Sequence, residues 1–403
     1  DYTRLGWYWT NRYKAIQYAN IIISRIHNAT YNSEAEKNKI LGQAYFHRAY
    51  WYYKLVHQFG NIPFIEGEVT GPKTDYSSTD RWVILNKIKK DLDWAYIHVP
   101  DVVDRGRVSQ SACGALLMKL NIALGEFDEA LKIGQQIVAQ HPLVTSRFTV
   151  NQSKPNTNLM HDLHSVEAKM DLTNREGLMY IVSYPNSPGS VRSQLSRNLL
   201  PRIVGVNTPD GVAGIVFTKN VEPQFEINTR YGRGIGRARS TNYYQYTLWT
   251  NKERSDLRGI YNRDSWKSPA DMWYNDPALK AKNNSYYGHN LIKNPAMSVE
   301  DSIRAWYQWP HFKTLVPDPT SSDWNWGGQT PMYIFRAAEV YLLMAEAAYW
   351  KNDLATAAEM LNVVRARANA QPHTAAEVNI GTIVDERARE LYFEEGQGSG
   401  YHR

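Results

Sequence analysis

The sequence predicts a mostly α-helical protein in which tetratricopeptide-like helical pairs form a scaffold for a long, loop-rich and aromatic-rich insertion containing short strands. Three observations predict this fold. Apolar residues recur at spacings of three and four in residues 1–139 and 331–403. Two pairs of such stretches are each joined by a short turn. Residues 140–330 lack sustained periodicity and are rich in Asn, Ser, Gly, Pro, Tyr and Trp.

Two long helices are predicted in the first part of the chain. One covers residues 35–59, where apolar and aromatic positions from Leu41 to Phe59 fall on one face, and the sequence GNIP at 60–63 stops it. The other covers residues 80–97 and ends before Pro100. The residues that step by four along it are Ile84, Ile88, Leu92 and Tyr96.

Two helical pairs have the same internal order. The first has apolar stripes at 113–124 and 127–138 around a turn at 125–126, and the second has stripes at 340–348 and 354–361. Small alanines in these stripes allow close helix crossing, as in tetratricopeptide-like arrays. Cys113 occupies an apolar position, which predicts a buried and unreactive thiol.

The insertion is predicted to consist of long loops with short strands at 177–184 and 212–217. Loops this long are usually functional or disordered. Richness in aromatic residues argues against disorder, so the insertion is the expected ligand-binding region.

Composition limits the function. Forty-six Lys and Arg against 40 Asp and Glu give a mild net charge of +6, which predicts no nucleic-acid partner. No apolar run of about 18 residues is present, so any membrane attachment is expected outside this sequence. The chain begins at Asp1 without a readable signal peptide, which is expected to have been cleaved or trimmed. Thirteen Trp and 27 Tyr exceed 10 Phe, and rings with a polar atom favour half-hydrated surfaces.

Four blocks of sequence, of which the C-terminal one has three segments, resemble the SusD/RagB family of Bacteroidetes nutrient-binding lipoproteins. Residues 44–63 (AYFHRAYWYYKLVHQFGNIP) are similar to the family's helix with an Arg-Ala pair and a Gly-x-x-Pro end. Residues 335–347, 361–367 and 386–396 (FRAAEVYLLMAEA, LNVVRAR and ERARELYFEEG) are similar to its C-terminal helices. Residues 106–112 and 125–130 (GRVSQSA and GEFDEA) match the middle pair.

The resemblance implies one SusD-like domain over residues 1–403, with both ends incomplete. Within it, we expect an N-terminal scaffold at 1–139, a ligand-binding region at 140–330 and a C-terminal scaffold at 331–403. In this family the region before the first helical pattern often contributes to the glycan site. Trp7, Trp9 and Asn11 are therefore candidate ligand-binding residues, although packing of the helix would explain them equally simply.

The resemblance also implies a function without chemistry. SusD-like proteins are outward-facing outer-membrane lipoproteins that capture oligosaccharides and deliver them to a SusC-like TonB-dependent transporter. Membrane contact would be made only through a lipid anchor outside this fragment. RagB-like capture of oligopeptides for the same kind of transporter is the alternative. A carbohydrate-active enzyme is the third class considered.

Aromatic residues of the insertion are the main candidates for ligand contact. Seven of the 13 tryptophans lie between residues 243 and 326, among many Asn, Gln and Arg. A flat ring stacks on the C–H face of a sugar, and polar side chains bind its hydroxyls. The candidates are Tyr243, Trp249, Trp266, Trp273 and Tyr274. The alternative is that these rings hold a loop-rich region together.

Other motifs predict no catalytic residue, no metal and no cofactor. The segment GRGIGRAR at 232–239 lacks the flanking strand and helix of a dinucleotide site, so a flexible basic loop is expected, with arginines able to bind carboxylates. His161 and His164 lack a third ligand at a recognisable spacing. Three glutamates four residues apart predict a solvated or ion-paired helix face: Glu386, Glu390 and Glu394.

Overall fold

The computed structural model describes residues 2–394, except 186, 191–192, 194, 219, 264 and 317–327. Helices hold 53% of the chain and strands 4%, so the prediction of a mostly helical protein is confirmed. The predicted division at residues 139 and 330 stays a prediction.

Five long helices form the first part of the scaffold. They are α1 (Tyr2–Arg25), α2 (Glu34–Phe59), α3 (Arg81–His98), α4 (Gln110–Leu124) and α5 (Phe127–Gln140). Side chains of Ser33, Asp80 and Ser109 accept hydrogen bonds from the first turns of α2, α3 and α4. Gly125 ends α4 at φ 80°, which permits the sharp turn into α5. The predicted helices at 35–59 and 80–97 and the first pair are confirmed.

The described residues of the insertion form short elements. Its helices are α6 (Leu159–His164), α7 (Val166–Met170), α8 (Leu195–Leu199), α9 (Asn228–Tyr231), α10 (Pro277–Ala281) and α11 (Val299–Asp301). Two π-helical turns cover Tyr243–Thr247 and Ser302–Trp306. Strand β1 (Gly177–Ile181) pairs antiparallel with β2 (Met332–Arg336). The strand predicted at 177–184 is therefore present but shorter.

Three further helices complete the scaffold after β2. They are α12 (Ala337–Trp350), α13 (Leu354–Arg367) and α14 (Ile380–Glu390). Helices α1 to α5 pack side by side in chain order. Helix α5 packs on α12, and α12 packs on α13 and α14. The second predicted pair is confirmed. The contact between α5 and α12 closes the scaffold across the whole insertion, and one apolar core runs through α1–α5 and α12.

The prediction of a strand at 212–217 is wrong. In this segment the Val216 amide donates to the Asn275 side chain at 2.9 Å, and the Val212 carbonyl accepts from Thr208 at 2.9 Å. Ile215 and Phe217 are buried in a core of the insertion. The run of apolar residues therefore serves packing, while nearby polar groups replace the strand partner.

Buried ion pairs join the insertion to the C-terminal helices. Glu386 accepts from Arg365 at 2.7 Å and from Arg258 at 2.8 Å, and Arg258 also reaches Glu390 at 2.8 Å. Arg336 of β2 contacts Glu390 at 2.6 Å. Both glutamates are fully buried. The prediction of an ion-paired face is confirmed for these two, and solvation is excluded.

Candidate ligand-binding cleft

Trp249 and Trp266 lie inside a core cluster and present no ring face to a ligand. Their exposed fractions are 2% and 0%. The Trp266 Nε1 donates to the Arg258 carbonyl at 2.9 Å, and Tyr392 beyond α14 packs on the same cluster. The prediction that these two rings form a stacking platform for a ligand is therefore wrong, because both are buried in the core.

Tyr274 and Tyr243 also lie outside the cleft that Trp273 lines. Tyr274 is fully buried in a second core cluster, and its hydroxyl donates to the Ile292 carbonyl at 3.2 Å. A sugar therefore cannot stack on it. Tyr243 is half exposed, and its hydroxyl donates to Asp385 at 2.7 Å. Trp324 and Trp326 fall outside the described residues.

Trp273 lines a cleft of about 660 Å³ in the insertion. The Tyr274 amide donates to the His289 carbonyl at 3.0 Å, and the Met272 carbonyl accepts from the Leu291 amide at 2.9 Å. This extended backbone buries Met272 and Tyr274 on one side and leaves Trp273 half-buried on the other. Local hydrogen bonds therefore fix the ring at the cleft before any ligand arrives.

Two further rings and several polar side chains line this Trp273 cleft. Tyr231 at the end of α9 lies 6.4 Å from Trp273 between ring centroids. Phe312 lies 4.4 Å from the ring of His161. The Arg230 guanidinium is 5.8 Å from the centre of Trp273. The other polar residues of the lining include Lys154, Asn156, Thr157, Glu167 and Lys267.

The ionisable groups of the Trp273 cleft are suited to binding. Burial and the nearby Lys313 charge lower the pKa of His311 well below its usual value, so the imidazole is neutral. Burial alone would raise the pKa of Glu167. A backbone hydrogen bond and the charge of Lys154, 3.4 Å away, lower it instead. Glu167 and His311 thus offer an ionised carboxylate and a neutral imidazole as hydrogen-bonding groups at the cleft.

The N-terminal candidates belong to α1 and not to this cleft. The helix begins at Tyr2, so Trp7, Trp9 and Asn11 lie within it and not before it. Trp9 packs edge-on against Phe59 with centroids 5.0 Å apart. Asn11 donates to the Trp7 carbonyl at 2.8 Å. Trp7 is 65% exposed, so its ring is accessible to a ligand.

Arg230, Tyr231 and Phe312 were not among the residues predicted from the sequence. They come from segments far apart from Trp273 along the chain, and no spacing connects them with it. The excess of tyrosine over phenylalanine favours residues such as Tyr231 but gives no positions, and the sequence carries no signal for Arg230 or Phe312. In the part of the chain that the structure describes, no group of three or more His, Cys, Asp and Glu residues is arranged to hold a metal ion.

Two protein-family models match this chain. The family model described as "SusD family" matches residues 215–398, and the model described as "Starch-binding associating with outer membrane" matches residues 1–122. Together these matches cover 306 of the 403 residues, including α1–α3, α12–α14 and about half of the cleft lining. The chain belongs to the SusD family.

Relatives and solved structures agree with this membership. The SusD-family chain is 29% identical over 138 residues and 31% identical over 134 residues to two SusD-like proteins of Formosa agariphila. These matches cover 33% and 32% of this chain and 26% of each relative, so they span about a quarter of the relatives' length.

Two solved structures have the same fold. A SusD-like protein from Bacteroides fragilis is 17% identical with a TM-score of 0.63, over 97% of this chain and 73% of that one. Surface glycan-binding protein A from Bacteroides thetaiotaomicron, in complex with laminarihexaose, is 16% identical with a TM-score of 0.66, over 97% and 74%. Within the described residues of this SusD-family chain, no helix has the length and apolar character needed to cross a membrane.

Proposed function

We propose that this SusD-family chain captures oligosaccharides at the cell surface and delivers them to a SusC-like TonB-dependent transporter. The observation that carries the proposal is the half-buried Trp273 ring, held at a cleft beside Tyr231 and Arg230. Such a ring stacks on the apolar face of a sugar, and the surrounding polar groups bind its hydroxyls. The laminarihexaose bound by a solved member of the same fold supports a carbohydrate ligand.

The size and rigidity of the Trp273 cleft support an oligosaccharide. Its volume of about 660 Å³ lies within the roughly 300–1,000 Å³ typical of small-molecule sites. Backbone hydrogen bonds on both sides of Trp273 fix the ring. A ring that is already ordered loses little conformational entropy when a ligand binds.

The chain acts in this proposal as a binder without catalysis. Glycoside hydrolysis needs two carboxyl groups on either side of the scissile bond. Among the described residues of the cleft lining, Glu167 is the one carboxylate, and the lowered pKa keeps it ionised at neutral pH. An ionised carboxylate without a partner acid cannot protonate a leaving group.

Delivery to a transporter follows from a physical need. A polar oligosaccharide crosses hydrocarbon only at a high free-energy cost, so cargo captured outside must enter a channel. We place the protein on the outward face of the outer membrane, as a lipoprotein that closes over a SusC-like barrel. The association with the outer membrane named in the description of the matching family model supports this location.

Calorimetric titration of a Trp273→Ala variant tests the proposal. A panel of neutral oligosaccharides that includes laminarihexaose first identifies a ligand, with a pool of oligopeptides in parallel. Loss of the ring removes about 0.5–1.5 kcal/mol beyond its buried area, so affinity should fall by at least about threefold. The matched control is Trp82→Ala, an exposed tryptophan on α3.

The outcomes separate the alternatives. Unchanged affinity in a folded Trp273→Ala variant would remove the cleft from the binding site. Binding of peptides and no sugar would favour RagB-like oligopeptide capture. Hydrolysis of the ligand during overnight incubation, abolished by Glu167→Gln, would refute the non-enzymatic assignment.

A further inference from the structure

The glycine- and arginine-rich segment at residues 232–239 is fixed in place. The Gly236 amide donates to the Leu200 carbonyl at 3.0 Å, and the Arg237 amide donates to the Asn198 carbonyl at 2.9 Å. Gly236 has φ 58°, and a Cβ at this position would collide with the Arg304 carbonyl oxygen. The expectation of a flexible loop is therefore wrong, because the backbone is hydrogen-bonded to α8 and to the Ser302–Trp306 turn.

The fixed segment borders a second cleft of about 400 Å³, here called the arginine cleft. Arg237, Arg239 and Arg304 line it against the single carboxylate of Glu300, which leaves an excess of two positive charges. Arg304 is already satisfied, since it contacts Glu300 at 2.6 Å and donates to the Ile235 carbonyl at 2.8 Å. Recognition of a further anion would therefore fall to Arg237 and Arg239.

Two buried polar atoms at the arginine cleft lack a partner among the described residues. Arg239 donates through Nη2 to Asn242 at 2.9 Å, but its Nη1 is buried without an acceptor. The Gln308 side chain is 97% buried, and its Oε1 is also unpaired. A buried donor without an acceptor is costly, so a shift of the Arg239 side chain that brings Nη1 to an oxygen of a bound ligand would remove that cost.

One exposed aromatic ring lies beside Arg239, and a second lies beside the first. Tyr246, on the Tyr243–Thr247 π-turn, and Tyr307, directly after the Ser302–Trp306 π-turn, are 43% and 44% exposed. Burial raises the pKa of Tyr246 and the nearby charge of Arg239 opposes that rise, so the two side chains are neighbours. Isolated π-turns occur frequently at functional sites.

We propose that the arginine cleft is a second saccharide-binding site, selective for sugars that carry a carboxylate or a sulfate. The anionic group would accept hydrogen bonds from Arg237 and Arg239, whose planar forks match such oxygens, while Tyr246 or Tyr307 stacks on the sugar ring. This inference rests on the proposed function and names the class of glycan, an anionic polysaccharide.

The two clefts lie at the ends of one short segment. Tyr231 lines the Trp273 cleft and Gly236 lines the arginine cleft. Five extended residues span at most roughly 18 Å, so one glycan chain can reach both sites. A neutral portion of the chain would occupy the first cleft, and a charged residue of the same chain would occupy the second.

Polymers that share one backbone test the charge requirement. Dextran, carboxymethyl dextran and dextran sulfate would be titrated at physiological salt, together with a DNA duplex as a polyanion that is not a saccharide. Wild-type protein should bind both charged dextrans at least about tenfold more tightly than dextran, and more tightly than DNA. The Arg237→Gln/Arg239→Gln variant should lose at least about tenfold in affinity for the charged dextrans.

The matched control removes two exposed arginines elsewhere. Arg81→Gln/Arg254→Gln changes the net charge equally, and both arginines lie over exposed tyrosine or tryptophan rings away from the cleft. An equal loss in this control, no loss in the cleft variant, or DNA binding as tight as dextran sulfate would overturn the proposal. Far-ultraviolet circular dichroism and melting temperature verify that both variants fold.

Failure of this inference is distinguishable from failure of the proposed function. If Trp273→Ala weakens binding of a neutral oligosaccharide while the charge of the dextrans has no effect on affinity, the proposed capture site is supported and the anionic site is wrong. If no oligosaccharide uses Trp273 but the arginine variant loses charged dextrans, the anionic site stands and the proposed capture site is wrong.

Discussion

Replacing Arg258 by Met should destabilise the fold through the buried ion-pair network. The Arg258 side chain is 2% exposed and contacts three carboxylates: Asp256 at 2.7 Å, and Glu386 and Glu390 at 2.8 Å each. Methionine replaces the apolar stem and removes the charge. The substitution therefore leaves three buried carboxylates with less compensation than they have in the native protein.

The structure sets the expected magnitude. Removing one partner of a buried ion pair costs about 3–5 kcal/mol, because the remaining charge stays buried without its counterion. Glu386 keeps Arg365 and Arg389, and Glu390 keeps Arg336 and Arg367, which prevents a larger loss. Total stabilities are about 5–15 kcal/mol, so the variant should fold but lose a large part of its free energy of unfolding.

The loss in the free energy of unfolding should depend on pH. Burial alone would raise the pKa of Glu386, but the charges of Arg258, Arg389 and Arg365 lower it to about 2. The ordinary value is about 4.3, so this group stabilises the native protein above that pH and ceases to do so as pH falls toward 2. Without Arg258 the pKa of Glu386 rises. Acid unfolding of the variant should therefore begin at higher pH.

Urea unfolding at pH 7 and at several lower values, followed by circular dichroism, measures both effects. The control is Arg254→Met, an exposed arginine over Tyr261 in the same segment. A loss of less than about 1 kcal/mol in the free energy of unfolding at pH 7 would refute the argument that breaking these ion pairs leaves buried charges uncompensated. An acid midpoint equal to that of the wild type would refute the assignment of Glu386 to the acid transition.

Two further predictions address packing and the partner. Trp266→Ala, at a position with no exposed surface, should lower the free energy of unfolding by about 3–5 kcal/mol in the same urea assay, whereas a loss below about 1 kcal/mol would contradict its place in the core. The protein purified from native outer membranes in mild detergent should bring a large TonB-dependent receptor with it in near-equal amount. Recovery of the protein alone, where other such pairs survive, would contradict the transporter proposal.

The helices were predictable because their signals are local. The boundaries of α2 and α3 follow from apolar spacing, a capping residue and the Gly-Pro stop. The segment at 212–217 misled for the opposite reason. Its short apolar run is typical of a buried strand, but whether a strand forms depends on a partner, and here Asn275 and Thr208 take the backbone hydrogen bonds.

The candidate site was less predictable because burial of a ring depends on distant residues. Trp266 and Trp273 are only seven positions apart in the same tryptophan-rich stretch. Trp266 is buried by contacts that include Tyr392, more than 100 residues later, and Trp273 is left at a cleft. Counting tryptophans therefore selects a region of the chain, and three-dimensional packing separates its core rings from the ring that lines the cleft.

The C-terminal helix region explains how an insertion with one short strand can hold a preformed cleft. Lys313 follows Phe312 of the Trp273 cleft, and its Nζ donates to the Glu390 carbonyl and to Glu394, each at 2.6 Å. Arg258 anchors a second segment of the insertion to the side chains of Glu386 and Glu390. Where few ladder hydrogen bonds order the backbone, these contacts replace them. The position of Phe312 relative to Trp273 therefore depends on a network outside the cleft, so loss of that network should disturb the cleft as well as lower the stability of the fold.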